Sequence, residues 1–358
     1  MSHALNVPPA FDFAGAVIRW QAVHGRHGLP WQGTTDPYRV WLSEIMLQQT
    51  QVVTVLGYFE RFLVRFPTVH ALAAADQSDV LALWSGLGYY SRARNLHRCA
   101  QVVVSEYQGE FPRSALALEA LPGIGPSTAA AIASFCFGET VSIFDGNVKR
   151  VLARFLGFEG DLATSLADNR LRGLASSLVP AANSGANMSG YTQGLMDLGA
   201  TVCTRTQPSC GVCPVKQVCV ACASGDPARL PIKARRTVRR TVAWYLLLLQ
   251  QPSGAVWLVQ RPNKGIWASL YCPPVFEAEV DMRASVLMRD VTGVHKLQPF
   301  NHSLTHRELV LHPVVCQVSC EPSSVVAAAL GQGLWVHPEA VHRLGLAAPV
   351  SKLLAQLW

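Results

Sequence analysis

The feature that most restricts the fold is a change of hydrophobic rhythm near residue 230. From about Phe11 to Cys222 the apolar residues recur at helical spacing, and the punctuation is that of helix ends. Asp36-Pro37 pairs an N-cap acceptor with a first-turn proline and opens a helix through Val40, Trp41, Leu42, Ile45 and Met46. Thr50 and Ser78 are expected as later N-caps, and Gly86-Leu87-Gly88 reads as a loop. Beyond residue 241 the pattern shortens: Val242–Leu249 and Ala255–Arg261 flank the turn-like QPSG, which predicts a β-hairpin. Leu309–Val318 is a further β-rich run, and a helix is expected around Val350–Leu357. The fold class is therefore an all-α domain followed by a smaller α+β domain, and a chain of 358 residues has the length for two.

Between the two lies GDPARLPIKARRTVRRT, with six Lys and Arg against one Asp. It reads as a basic extended linker, giving expected boundaries of 1–224, 225–241 and 242–358. The composition is 50% hydrophobic and 15% charged, which excludes a disordered chain. Thirty Lys and Arg against 23 Asp and Glu leave +7, compatible with a polyanionic partner. The start, MSHALNVPPAFDFAG, has neither the basic nor the apolar region of a secretory signal. The longest apolar run, Val242–Leu249, falls far short of the roughly 20 residues that span a bilayer. The expectation is a soluble cytoplasmic protein with no membrane partner.

Ten cysteines in such a compartment favour metal over disulfides, and five of them crowd one stretch. Cys203, Cys210, Cys213 and Cys219 are spaced C-x6-C-x2-C-x5-C, so four thiolates can close on one centre. Cysteine-only ligation leaves structural zinc or an iron–sulfur cluster. These four contain one C-x2-C knuckle with long arms, where zinc ribbons pair two, and this tilts the reading toward iron–sulfur. Cys222 is left over as a spare thiol. Arg205, between the first two ligands, would sit on the ordered loop as a phosphate contact or as a plain surface cation.

Leu121-Pro122-Gly123-Ile124-Gly125 joins two apolar helical stretches. Glycines in such a turn, here Gly123 and Gly125, can present backbone N–H groups at the start of the next helix to a phosphate, or simply turn the chain. Farther along, Phe144-Asp145-Gly146-Asn147-Val148 places Asp145 as an N-cap, where a negative charge is favoured. Glu44, isolated in VWLSEIMLQQT, either faces solvent or is partly buried. If buried, its pKa rises and it stays protonated near neutrality, as a general acid must.

Leu29-Pro30-Trp31, VWLSEIMLQQTQV (40–52), GLGYYSRARNLH (86–97), LPGIGPSTA (121–129), FDGNVKRVLAR (144–154) and the cysteine loop occur in an order and spacing that resembles the adenine DNA glycosylases of the MutY type, within the helix–hairpin–helix superfamily that includes endonuclease III. The resemblance covers nearly the whole chain. It implies a [4Fe–4S] cluster on Cys203, Cys210, Cys213 and Cys219, and a monomer that removes adenine mispaired with 8-oxoguanine or guanine in double-stranded DNA at the nucleoid. Bifunctional relatives carry a nucleophilic lysine where this sequence has Ser127, so monofunctional hydrolysis is implied. By the same resemblance Glu44 is the acid at adenine N7, and Asp145 stabilises or traps the sugar cation. Asn147 and Ser127 orient these groups, Gln193 reads the adenine edge, and Leu29 with Trp31 forms the pocket wall. Gln49 and Tyr89 intrude into the base stack, while Gly123, Gly125 and Arg205 hold the DNA backbone. The Lys149-Arg150 pair, the linker and the cysteine loop are expected to face DNA.

The C-terminal part resembles the Nudix-like domain that this family uses to recognise 8-oxoguanine, with QRPNKGIWASLYCPP (260–274) as its strand and loop. The stretch MRDVTGVH lacks the paired glutamates that bind magnesium in Nudix hydrolases, so nucleotide hydrolysis is not expected. The lesion-sensing loop, usually H-x-F-S-H, is His302-Ser303-Leu304-Thr305-His306 here. Leu304 removes an aromatic ring, Thr305 keeps a hydroxyl, and His306 closes the motif. Two alternatives stand beside this reading: an oxidised-pyrimidine glycosylase with AP lyase activity, and a non-catalytic lesion-binding protein with a structural zinc.

Overall fold

The computed structural model describes residues 11–181, 184–232, 239–285, 291–318, 330 and 332–358. Residues 233–238 of the expected linker and Met288–Asp290 of MRDVTGVH lie outside the described residues. The helices run α1 (Phe13–His24), α2 (Pro37–Leu47), α3 (Val52–Arg65), α4 (Val69–Ala73), α5 (Gln77–Leu83), α6 (Ser91–Tyr107), α7 (Ala115–Glu119), α8 (Pro126–Phe137), α9 (Gly146–Leu156), α10 (Ser165–Ser176), α11 (Met188–Asp197) and α12 (Val220–Ala223). The strands are β1 (Arg240–Gln250), β2 (Val256–Gln260), β3 (Tyr271–Cys272), β4 (Val275–Phe276), β5 (Val291–Lys296), β6 (Phe300–Ser303), β7 (Arg307–Val318) and β8 (Gly333–Val336), with α13 (Glu279–Ser285) and α14 (Ala348–Leu357). A helical region followed by a sheet is the expected fold class.

Backbone contacts divide the chain into two compact units, one of Met1–Val52, Thr68–His70 and Cys99–Arg236, the other of Val53–Pro67, Ala71–Arg98 and Thr237–Trp358. In the first, α1 packs along α11 and α2 along α8. A Cβ built on Gly194 would lie 2.6 Å from Val17 Cγ1, so the missing side chain is what lets α11 and α1 approach. Phe13 and Phe155 pack with ring centroids 4.4 Å apart and planes tilted by 40°, in a core shared with Val17, Val148, Leu152, Tyr191 and Leu195. Burial of each such side chain contributes about 1.5–3 kcal/mol.

Helix starts follow local chemistry. Asp36 caps α2 by accepting from Tyr38 N at 2.9 Å, with Pro37 in the first turn. The expected caps at Thr50 and Ser78 are corrected: α3 begins at Val52, and Ser78 lies inside α5, whose N-cap position is Asp76. Both errors are one or two residues, the scale on which helix ends fray.

Among its described residues the second unit holds an eight-stranded mixed sheet with central order β3-β2-β1-β7-β5. β1 and β7 run parallel from Arg240↔Arg307 to Gln250↔Gln317, and the other pairings are antiparallel. The expected hairpin forms between β1 and β2, closed by Gln251 N donating to Ala255 O at 2.9 Å. Leu247, Leu249, Val314 and Cys316 bury one face of the sheet. The helical residues of this unit join it through polar contacts: Ser85 Oγ and Tyr90 Oη donate to Leu346 O at 3.0 and 2.5 Å, and Arg94 Nη1 to Ala268 O at 2.8 Å. No helix among the described residues is long and apolar enough to cross a membrane.

Candidate active site

The first unit contains a cavity of about 1020 Å³ whose wall includes Leu29, Trp31, Glu44, Asp145, Asn147 and Gln193. Its size matches the upper end of small-molecule pockets, roughly 300–1,000 Å³. Each polar member arrives from a different element. α2 is apolar on nearly every side, burying Trp41, Leu42, Ile45 and Met46, and this places Glu44 against the cavity with little water around it. Burial first, and then the charge of Asp145, push its carboxyl up from 4.5 to about 8. The half-buried Glu44 carboxyl therefore keeps its proton at neutral pH.

Asp145 caps α9, accepting from Val148 N at 2.7 Å, and sits at the positive end of that helix. Two carboxyl groups share one cavity with different surroundings, one desolvated within α2 and one at the N-terminus of α9. Asn147 lies in the first turn of α9. Its Oδ1 accepts from Arg150 Nη2 at 2.9 Å, and the same guanidinium donates to Gly199 O at 2.6 Å and Cys203 O at 2.8 Å. Of the Lys149-Arg150 pair expected to face DNA, the structure shows the intramolecular partners. Arg150 turns inward to these carbonyls, and Lys149 pairs with Asp168. At the far wall Gln193 Nε2 donates to Asp197 Oδ1 at 2.8 Å, and Arg26 donates to both oxygens of that fully buried carboxylate. Asp197 and Arg26 were not singled out in the sequence; the i, i+4 spacing of Gln193 and Asp197 on one helix face was the available signal.

Ser127 sits in the first turn of α8, half-buried and outside the cavity wall. Gln49 and Tyr89 do not line it either, but both have left-handed backbones, φ 58° and 47°, which is uncommon for residues other than glycine. Tyr89, in the second unit, is 46% exposed with the Arg92 guanidinium 5.7 Å from its ring centre. In the hairpin Gly123 has φ 76° and Gly125 is the N-cap of α8 without a side chain to take the first-turn N–H groups. Leu304, Thr305 and His306 form the turn between β6 and β7, closed by Leu304 N donating to Arg307 O at 2.8 Å.

Cys203, Cys210, Cys213 and Cys219 line one pocket in the first unit, and Cys222 lines it with them. Cys219 and Cys222 form a second C-x2-C pair that the four-cysteine spacing leaves out. Among the described residues all cysteines are free thiols, and no three His, Cys, Asp or Glu side chains are grouped so as to hold a metal ion as they stand. Burial pushes the Cys213 thiol up to about 12 and raises Cys219, and a metal bound there would displace the protons from these thiols. The surroundings suit an anionic centre. Arg154, 1% exposed, donates to Leu230 O, Thr204 O, Arg205 O and, at 3.4 Å, Cys203 Sγ, with no carboxylate among these acceptors. A buried guanidinium calls for a compensating negative charge, and an all-sulfur metal centre would supply it. The donor set therefore fits a thiolate-ligated cluster. Arg205 itself is exposed.

Residues 42–175 match the model of the HhH-GPD superfamily of base excision DNA repair proteins, and residues 245–356 match that of the NUDIX domain. The chain is 33% identical over 349 residues to the adenine DNA glycosylase of Buchnera aphidicola subsp. Schizaphis graminum, covering 96% of this chain and 98% of that one. It is 32% identical to the human adenine DNA glycosylase, over 97% of this chain and 74% of the human one. A solved structure of a thermostable thymine-DNA glycosylase, 28% identical, superposes with a TM-score of 0.52 over 59% of this chain and 95% of its own. With its two carboxyl groups in one cavity, its glycine hairpin and its C-terminal sheet, the chain belongs to the adenine DNA glycosylases, base-excision repair enzymes of the HhH-GPD superfamily, here with a C-terminal Nudix domain.

Proposed function

We propose that the protein is a monofunctional glycosylase that removes adenine mispaired with 8-oxoguanine or guanine from double-stranded DNA, acting as a monomer at the nucleoid. The observation that carries this reading is the Glu44 carboxyl, raised to about 8 beside Asp145 in a cavity that can take a base. The adenine leaves the stack to enter that cavity, since its glycosidic bond is out of reach within the duplex. Leu29 and Trp31 pack its faces, and Gln193, its amide nitrogen engaged by Asp197, offers the carbonyl oxygen to the adenine amino group. Glu44 protonates N7, the C1′–N9 bond breaks, and the electron pair goes to the departing base. Asp145 stabilises the cation at C1′ until water adds there and gives up a proton. Asn147, on the same cavity wall, orients these groups, whereas Ser127 lies outside that wall and is not assigned a contact with them.

Among the described residues no lysine lines the cavity, which supports hydrolysis over an imine-forming lyase route. Gln49 and Tyr89 enter the stack beside the mispair, and Gly123, Gly125 and Arg205 hold phosphates through backbone N–H groups and charge. In the domain of residues 242–358, beyond a basic linker of 225–241, Leu304, Thr305 and His306 contact the opposite base. Cys203, Cys210, Cys213 and Cys219 hold a [4Fe–4S] cluster. Held by these four thiolates, such a cluster would tie together the loop that carries Arg205.

The test is a glycosylase assay on A·8-oxoguanine, A·G and A·T duplexes, with and without alkali. Adenine release from the first two, strand scission only after alkali, and loss of turnover in Glu44→Gln are the expected results. Scission without alkali, or turnover surviving in Glu44→Gln, would overturn the reading.

A further inference from the structure

We propose that Trp267 is a positioning residue for recognition of the opposite base: its ring supports His302 and thereby sets the place of the Leu304–Thr305–His306 turn. The inference rests on the reading of that turn as the contact to 8-oxoguanine. The turn follows β6, a strand of four residues that pairs only with β7 among the described residues. Such a strand has a free edge, so its end is held by β7 and by whatever packs on its two faces. Successive side chains of a strand point to opposite faces, and the last two of β6 meet different partners. Ser303 Oγ donates to Glu308 Oε2 at 2.7 Å, an exposed bond to the paired strand. His302 is half-buried, and the Trp267 ring lies against it with centroids 6.0 Å apart and planes at 51°.

Trp267 is itself fixed from several sides. It is 8% exposed and meets Trp244 of β1 edge-on at 5.3 Å, and the Arg261 guanidinium lies 5.1 Å from the centre of the same Trp244 ring. The loop that carries it is closed at three points: Arg261 N donates to Leu270 O at 2.8 Å, Ser269 N to Pro262 O at 3.0 Å and Leu270 N to Trp267 O at 3.0 Å. Within this loop Trp267 has φ 55° and Ser269 φ 62°. A bulky side chain is an outlier in that region, where a glycine would sit without strain. Such strain persists where the surroundings enforce it, and here the surroundings of the ring are Trp244 and His302. A chain of contacts thus runs from the central strand β1 through Trp244 and Trp267 to His302, two residues before Leu304.

The experiment measures binding to duplexes that carry a non-hydrolysable 2′-fluoroadenosine opposite 8-oxoguanine or guanine, for wild type, Trp267→Phe, Trp267→Leu, His302→Ala, Trp267→Leu/His302→Ala and Trp257→Leu. Trp257, also 8% exposed and packed edge-on against Trp335 at 5.5 Å, belongs to the core on the other face of the sheet and controls for a merely structural loss. Trp267→Leu should lower the preference for 8-oxoguanine over guanine about two- to tenfold, the scale of a single aromatic pair. His302→Ala should do the same, and the double variant should lose no more than the worse of the two, because both changes break one contact. Trp267→Phe keeps a ring and should restore most of the preference, whereas Trp257→Leu should lower the melting temperature and leave the preference unmoved. His302→Ala carries the test if Trp267→Leu does not fold. An unchanged preference in either single variant, additive losses in the double variant, or an equal loss in Trp257→Leu would each overturn the inference. A wild type with no preference for 8-oxoguanine would instead overturn the reading of the turn, and this inference with it.

Discussion

Gln193 and Asp197, one helical turn apart on α11, are joined by a 2.8 Å hydrogen bond from the Gln193 amide nitrogen to a carboxylate with no solvent exposure. The same carboxylate receives the Arg26 side chain at 2.7 Å and its backbone N–H at 2.9 Å. Asp197 is a positioning residue: it fixes which end of the Gln193 amide faces the cavity. Asp197→Asn should leave the Arg26 guanidinium without its anion and the Gln193 amide free to rotate. Removing one partner of a buried pair costs about 3–5 kcal/mol, and the low end applies because Arg26 is 31% exposed. Thermal melts should show that loss, and steady-state kinetics should show a rise in KM for the A·8-oxoguanine duplex. Unchanged kinetics in a destabilised but folded variant would remove the positioning role.

Glu44 gives a pH signature in both stability and rate. Its carboxyl is raised from 4.5 to about 8, so the folded protein holds a proton that the unfolded chain releases above 4.5. The stabilisation from that proton is fully present below the unfolded value and is lost as pH rises through the folded one. The slope is at most about 1.4 kcal/mol per pH unit. Glu44→Gln abolishes it, so the variant should match wild type in acid and exceed it in stability near about pH 8 or above, read from denaturant midpoints across the range. Single-turnover adenine release by wild type should decline over the same alkaline window, because the acid is then ionised. A flat profile there would move the acid to another group.

Neighbouring cations on α9 should behave unalike. Arg150 donates to Asn147 Oδ1 and to the carbonyls of Gly199 and Cys203, whereas Lys149 pairs with Asp168 near the surface. Arg150→Met strands three acceptors and should cost about 1–3 kcal/mol or more, with slower base release because Asn147 loses its tether. Lys149→Met should cost less than about 1 kcal/mol. Equal losses would mean that the inward network is not what matters at this helix.

What the sequence made legible follows from how local each signal is. The α7–α8 hairpin, the Asp36 and Asp145 caps and the β1–β2 hairpin are each set by neighbours within a few residues, and each appears as expected. The inward hydrogen bonds of Arg150 had no local signal, because a cation beside Lys149 looks solvated until Gly199 and Cys203, distant in sequence, fold against it. Cys222 looked surplus because ligand spacing counts residues along the chain, and only the fold returns α12 to the pocket. The assignment of Val53–Pro67 and Ala71–Arg98 to the unit that contains the sheet has no local signal either; it depends on contacts such as Tyr90 to Leu346.

The two glycines of the hairpin separate backbone strain from phosphate access. Gly123 has φ 76°, a conformation that costs a residue with a side chain roughly 1–2 kcal/mol. Gly125 has φ −91°, and a Cβ there meets nothing within 4 Å. Gly123→Ala should therefore destabilise the fold, while Gly125→Ala should leave stability nearly unchanged. If N–H groups at this corner hold a phosphate, both should weaken duplex binding without altering sequence preference. Binding isotherms at several salt concentrations would show it, and wild-type affinity in Gly125→Ala would remove that residue from the interface.

Gln49 offers the opposite experiment, a substitution that should help the fold and harm the reaction. It follows α2 with φ 58°, in the left-handed region where a side chain is penalised and glycine is not. Strain of this kind persists where surrounding structure enforces it and is concentrated at functional sites. Gln49→Gly relieves the backbone, so the variant should melt at or above the wild-type temperature, with a gain of up to about 1 kcal/mol offset in part by the extra freedom glycine has when unfolded. It also removes the side chain expected to fill the gap left by the extruded adenine. Adenine release should then fall with little change in Glu44 titration, because the acid is untouched. Gln49→Ala keeps the strain and removes the side chain, and should lose activity without gaining stability. Full activity in both variants would show that the strained backbone serves the fold of the α2–α3 connection and not the base stack.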